Sequence, residues 1–384
     1  MPSKALKNEA FVSTIQNRVT INDLAQNLGL TKGTVSRALN EYGDISEITK
    51  RRVKRKAAEL NYRPLTHAQA IRTGRTRSIG LVLQADVYDG QRPFLADFLA
   101  GVSQTASEEN WTLTVATPGT EDEVLVTIRR LIDERKADGF ILPRTKVADA
   151  RVELLRTQGV PFVMFGRTKN QTGCAWYDVM GEHAISSAVE RLYELGHREI
   201  GFINSDLQYN FADLRLKGFF DGIRKVGLKV RNDLILDGIM TVDAGRDATK
   251  TLMHRSLPPT AIVYATDMAA LGGYKAMSDL QLRIGRDISI IGYDGVPEGA
   301  YTTPALSTFK VDTKKAGERL TALLIERIRG TRAEDLREAA AAVFKSGKSE
   351  GPPLLSSREV AHRIKKPKIP INSNLKMKGL HNEI

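Results

Sequence analysis

The feature that most constrains this 384-residue chain is an alternation that begins at Ser78. Short apolar stretches run SIGLVL from Ser78, TLTVAT from Thr112, GFILP from Gly139 and PFVMFG from Pro161. A second series follows with EIGFIN from Glu199, AIVYAT from Ala261 and ISIIGYDG from Ile288. Among them lie helix-like stretches at residues 96–110, 121–136, 181–195 and 215–226. A strand that is apolar along its whole length must be covered on both faces, as in parallel sheets whose strands are joined by helices. Two such series predict an α/β core of two doubly wound lobes over residues 78–345. Ligands in these sheets bind beyond the strand C-terminal ends, so two lobes predict a cleft.

Upstream, residues 19–40 read VTINDLAQNLGLTKGTVSRALN. Thr20 with Asp23 three positions on is a capping-box pattern, and Ile21, Leu24, Ala25 and Leu28 make one apolar face. Gly29 suits a left-handed helix stop. Thr31 can cap a second helix with Val35, Ala38 and Leu39 inward. Lys32, Gly33, Ser36 and Arg37 then point outward near its N-terminus, with Thr34 and Asn40 beside them. A short cationic helix end of this kind suits the major groove, where arginine can donate twice to one guanine. Ser46 can cap a third helix towards Leu60, whose outer side carries Lys50, Arg51, Arg52, Lys54, Arg55 and Lys56. That face suits phosphates, which give affinity without sequence. Residues 19–65 thus read as an all-α helix-turn-helix head, preceded by a loose polar arm at 1–18.

Charge supports the division. Residues 1–77 carry 15 Lys/Arg against 6 Asp/Glu and residues 345–384 carry 9 against 3, which leaves −3 of the net +12 for the middle. A cationic head on a near-neutral body implies a polyanionic partner. The single cysteine, Cys174, allows no internal disulfide and reads as a small buried hydrophobe. The six histidines lack metal-site spacing, and no cofactor is expected. Neither a secretory signal nor an apolar run of about 18 residues occurs, which predicts a soluble, cytoplasmic protein without membrane contact.

Residues 61–76, NYRPLTHAQAIRTGRT, complete a pattern. Taken with TVSRALN and the upstream DLA, they resemble the lactose/galactose repressor family of bacterial transcription regulators, from about Val19 to Gly330. The resemblance implies that the second helix reads the major groove, with Tyr62 and Ala68 among the DNA contacts. It also implies a hinge helix within 66–77 that folds only on DNA, with an apolar wedge in the minor groove. Ile71 stands at the wedge position, where leucine is usual, with a plain linker hydrophobe as the lesser alternative. The family core is similar to periplasmic sugar-binding proteins, with lobe crossings here near Asp178, near Leu306 and after Arg329.

Several residues are expected in the cleft. A carboxylate at Asp294, after a strand too apolar to need it, can accept from two vicinal hydroxyls. Arg215, expected to open a helix, matches the arginine the family uses on its effector, and its fork suits a sugar hydroxyl or an acid. Asp267 matches a family acidic position at the cleft edge, though capping its helix would also explain it. Phe94, Trp176 and Tyr177 can offer flat faces to a pyranose or belong to the core. Two positions depart from the family: Gly166 precedes Arg167 where aspartate is usual, and Thr266 replaces asparagine. Gly166–Thr168 with Ala175–Asp178 looks like the subset responding to α-glucosides, which makes Arg167 an effector candidate.

Residues 346–384 are expected to hold a closing strand near Leu354–Leu355 and, from 363, a basic disordered tail, dispensable rather than a second DNA contact. The chain thus reads as a dimeric regulator, expected to be a repressor, of a palindromic operator, controlled by a small-molecule effector expected to be a sugar such as an α-glucoside. The alternative is a sugar-processing enzyme fused to a DNA-binding head, against which no nucleophile elbow, phosphate loop or metal constellation is present.

Overall fold

The computed structural model describes residues 19–62, 75–84 and 92–365, with side chains from 95 in the last segment. The chain divides into two compact units, Met1–Arg77 and Ser78–Ile384. In the first, helices α1 (Ile21–Leu28), α2 (Lys32–Leu39) and α3 (Glu47–Glu59) enclose Leu24, Val35, Ala38 and Val53, all fully buried. The capping box forms: Thr20 Oγ1 accepts from the Asp23 amide at 3.3 Å, and Asp23 Oδ2 accepts from the Thr20 amide at 2.8 Å. Gly29 stops α1 at φ 62°, a conformation only glycine enters freely. Thr31 and Ser46 cap the next two helices. Lys50 departs from expectation. It is buried at 7% exposure, and its ammonium lies 2.8 Å from Glu47.

The second unit contains two six-stranded sheets. The first uses β1 (Ser78–Val82), β2 (Thr112–Ala116), β3 (Gly139–Leu142), β4 (Phe162–Phe165), β5 (Ala175–Val179) and β11 (Arg337–Ala340). Its order is β11-β5-β4-β3-β1-β2, parallel throughout. The second uses β6 (Ile200–Ile203), β7 (Ile235–Leu236), β8 (Ala261–Tyr264), β9 (Ser289–Asp294), β10 (Ser307–Lys310) and β12 (Val343–Lys345). Its order is β12-β10-β9-β8-β6-β7, with only β12 antiparallel.

Helices cover both faces of each sheet. In the first lobe α4 (Arg92–Glu108) and α11 (Thr313–Arg329) bury Phe98, Val102, Leu320 and Leu324 on one face. There α5 (Glu121–Asp133) and α6 (Ala150–Thr157) bury Ile128 and Leu155 on the other. In the second lobe α7 (Gly181–Glu194) and α8 (Asn210–Lys225) bury Ile185 and Phe219. Opposite them, α9 (Val242–Met253), α10 (Asp267–Asp279) and α12 (Ser357–Lys365) bury Leu252, Met277 and Val360.

All seven expected strands form. Five more were not expected, and each has a reason. β5 reads AWYDV, whose aromatics suggested ligand contacts; β7 is two residues long; β11 and β12 are polar edge strands. β10 is central but begins Ser-Thr, and Thr308 is satisfied internally by Asp267. The closing strand expected at Leu354–Leu355 is absent: β11 and β12 close the sheets, and Leu354 is exposed. The crossing expected near Leu306 lies at residues 311–312, between β10 and α11. Arg215 does not open its helix, which starts at Asn210.

Close backbone approach through glycine sets the helix pairs. A Cβ at Gly218 on α8 would come 2.2 Å from the Glu182 carbonyl oxygen of α7. The same holds for Gly101 against Lys314, between α4 and α11, at 2.1 Å. Gly218→Ala is therefore expected to destabilise the core by about 1–3 kcal/mol through overpacking. Denaturant unfolding of the variant checks this; an unchanged midpoint would show that α7 and α8 separate without cost.

Candidate functional site

The outer surface of α2 begins with Lys32 and Gly33, both exposed. Thr31 is occupied as the helix cap, with Thr34 as its partner, and Thr20 likewise caps α1. A Cβ at Gly33 would meet only Thr31 Oγ1, at 3.8 Å, so packing does not demand glycine there. Ser36 and Asn40 are half-buried, and Asn40 Nδ2 donates to the Ser36 carbonyl at 2.6 Å. Arg37 is exposed as expected. Tyr62 packs against the head core. Ala68, Ile71 and the expected hinge helix lie outside the described residues.

Several cations of α3 are paired within the head, yet Arg51, Arg52, Lys54 and Arg55 stay exposed, and only Lys50 leaves the expected phosphate face. Lys54 pairs with Glu41, Arg55 and Lys56 with Glu59, and Arg52 donates to the Leu28 carbonyl at 2.6 Å. Lys50 is buried beside Glu47, and Arg51 remains exposed.

The core's cleft lies where strands end. Phe165 closes β4, Asp178 and Val179 close β5, and Asp294 closes β9; all line a cavity of about 220 Å³. One lip joins the lobes: the Val147 amide donates to the Gln208 carbonyl at 2.9 Å, and the Asn210 amide to that of Thr145 at 3.1 Å.

Arg215 dominates the cavity wall. Its Nη1 donates to the Ala265 carbonyl at 2.6 Å. Its guanidinium stacks 3.8 Å from the Tyr293 ring centre and 4.7 Å from that of Phe211. Nη2 lies 3.8 Å from Asp294 Oδ1, and the buried Nε has no protein partner. Asp294 sits at φ 121°, where a non-glycine residue is strained. Burial pushes its carboxyl up to about 7, against the pull of Arg215 and with Asp267 adding repulsion.

Asp267 is neither a cleft residue nor a cap. Thr266 caps α10, while the fully buried Asp267 accepts from the Gly295 and Val296 amides at 2.7 and 2.9 Å and from Thr308 Oγ1 at 2.7 Å. It braces the turn that carries Asp294, and burial pushes it up to about 6.

Arg167 is also turned away from the cavity. Its Nε donates to Asp178 Oδ2 at 2.5 Å and its Nη2 to Glu182 Oε1 at 2.6 Å. Those two acids line the cavity in its place, and Glu182 Oε2 is buried without a protein partner. Trp176 and Tyr177 point to opposite faces of their sheet, as strand alternation requires. Trp176 packs on the α5–α6 side and donates to Gln171 at 3.1 Å; Tyr177 is buried at 6% exposure on the α4–α11 side. The cleft aromatics are instead Phe165, Phe211 and Tyr293. The Phe94 side chain lies outside the described residues. Glu182 and Phe211 were missed because both sit within helices, where their types look like ordinary amphipathic positions.

Among the described residues no cluster could hold a metal ion, and no helix is long and apolar enough to cross a membrane. A helix-turn-helix head on a two-lobed core with a polar cleft defines a DNA-binding regulator with a small-molecule sensing body. Comparison with known proteins places it further. Residues 20–64 match the bacterial regulatory proteins of the lacI family, and residues 189–343 match a periplasmic binding protein-like domain. The chain is 33% identical over 313 residues to the HTH-type transcriptional regulator AglR of Rhizobium meliloti, covering 80% of this chain and 87% of AglR. A transcriptional regulator CelR–cellobiose complex matches with TM-score 0.67 and 25% identity over 86% of this chain and all of that one. The lac repressor dimer bound to operator and an anti-inducer shares the fold, at TM-score 0.73 and 23% identity, over 87% of this chain and all of that one. The chain belongs to the lacI family of transcription regulators, and its relatives are regulators rather than enzymes.

A pH dependence follows from the two buried carboxyls. Each holds its proton in the fold at pH values where the unfolded chain, near 3.8, has lost it. Their contribution is therefore complete below about pH 4 and is lost as pH rises through 6 and 7. Asp294→Asn keeps the neutral shape at every pH, so it should melt above wild type at pH 8 and level with it near pH 4. The effect is damped because 31% of the Asp294 side chain is open to the cleft. Melting curves from pH 4 to 8 measure it; a gap that widens towards acid would contradict the assignment.

Proposed function

We propose that this regulator represses transcription in the cytoplasm as a homodimer on a palindromic operator, and that a sugar bound in the cleft weakens its hold on DNA. The observation that carries the effector reading is Arg215. It is clamped between two aromatic rings, with a spare Nε donor and Asp294 beside it. Stacked rings, fixed donors and acceptors at strand ends suit a ligand that offers apolar ring faces and many hydroxyls. The cellobiose bound by the similar CelR points the same way. The narrower reading, an α-glucoside, retains Asp178 at the cleft but loses Arg167, Trp176 and Tyr177 as direct contacts.

A thermal-shift screen of maltose, sucrose, trehalose and cellobiose tests the class. Arg215→Ala should abolish the shift because it leaves the ligand's polar groups unmet, at about 1–3 kcal/mol or more for a charged group, and Phe211→Ala because it removes the ring that holds the guanidinium. Operator affinity without sugar should stay near wild type in both. Variants that still respond at the wild-type sugar concentration would move the effector site elsewhere.

On the DNA side, Arg37→Ala should cost roughly 1–3 kcal/mol and relax choice at one base per half-site. Lys54→Ala should weaken matched and scrambled duplexes about equally, since its ammonium acts on DNA only as charge and is shared with Glu41. Titration of matched and scrambled duplexes distinguishes the two; equal losses on both duplexes from Arg37→Ala would refute base reading.

A further inference from the structure

Arg37 is already engaged in the free head. Its Nη1 donates to Asp44 Oδ2 at 2.8 Å, with the two side chains 51% and 53% exposed. Asp44 lies seven residues on, in the turn between α2 and α3. That turn is built on Arg37 itself. The Tyr42 amide donates to the Arg37 carbonyl at 3.1 Å, the Glu41 amide to that of Ala38 at 3.3 Å, and the Ile45 amide to that of Tyr42 at 3.2 Å. Glu41 takes a left-handed conformation, φ 60°, to close it. The backbone of Arg37 therefore anchors the turn that returns a carboxylate to its own guanidinium.

A carboxylate on a DNA-facing surface opposes the approach of a polyanion. Nor does the pair contribute much stability, because both groups are half in water. What it supplies is direction. Guanidinium presents five N–H donors in a rigid plane, so with Nη1 held the remaining edge can still donate twice to guanine O6 and N7. An unheld arginine would be free to swing to the nearest phosphate, which gives affinity without sequence.

We propose that Asp44 is a specificity-determining positioning residue, which holds Arg37 in its base-reading orientation and lowers affinity for DNA in general. Discrimination then comes partly from a repulsive element built beside the attractive one. The proposal rests on α2 being the helix that reads bases.

The test uses the full chain, a duplex selected by wild-type protein from a random library, and a scrambled duplex of the same composition. Asp44→Asn should tighten binding to the scrambled duplex by roughly threefold or more as one repulsive charge is removed. It should also cut the selected-to-scrambled ratio by about fivefold or more. Asp44→Glu keeps the charge but moves the carboxylate, so it should lower the ratio while leaving scrambled affinity near wild type. In an Arg37→Ala background, Asp44→Asn should leave the ratio where Arg37→Ala alone put it. Melting curves confirm that each variant is folded. A wild-type ratio in Asp44→Asn, or an undiminished effect in the Arg37→Ala background, overturns the proposal. A wild-type ratio in Arg37→Ala alone overturns base reading by Arg37, and the proposal with it.

Discussion

Covering both faces of a parallel sheet leaves polar side chains only one way out, at the strand ends. In this core both sheets are so covered, and their central strands, such as Ser78–Val82 and Ala261–Tyr264, are buried at every residue. The polarity the core can present is therefore gathered at the C-terminal ends of β4, β5 and β9, where the two lobes face each other. Arg215 is held there by stacking and by a backbone carbonyl rather than by a full ion pair. That leaves donor capacity for a ligand.

The same constraint explains what could be read from sequence. Strands buried on both faces announce themselves as apolar runs: six of the seven expected runs are such strands, and the seventh, β2, is a half-exposed edge strand. Asp294 was legible because a carboxylate at the end of an apolar run has no folding role, and Arg215 because it matched a family position. Arg167, Trp176 and Tyr177 misled because sequence proximity to the cleft is not orientation. One residue along a strand reverses the face, and an arginine two steps from a cleft can be satisfied by its own acids. Asp267 was misplaced for a different reason. Its three donors come from residues 295, 296 and 308, which nothing local in the sequence brings to it.

In the head, the helices and their caps were legible because each signal is local, within three or four residues. The fate of the cations was not. Whether Lys50, Lys54 or Arg37 faces solvent or a carboxylate depends on how the turn after α2 folds back, and Glu41 and Asp44 lie on that turn. A count of charge therefore overstates the cationic surface that DNA meets. The head keeps its net positive charge while holding several of its cations in internal pairs.

The cleft is also built into the connections between its lobes. The Met180 amide donates to the Ala340 carbonyl at 2.9 Å, so the first and third crossings run side by side. At the second, the Val311 amide donates to the Asp294 carbonyl at 3.0 Å. Asp294 thus touches the cavity through its side chain and a crossing segment through its backbone, in a strained conformation. Arg167 on the first lobe and Glu182 at the start of α7 on the second tie the lobes beside the first crossing. A ligand that drew on Asp294 or Glu182 would act on groups bonded to the crossings between the lobes. In a core whose sheets and helix pairs are packed too tightly to deform, those short crossings are where ligand binding can become movement.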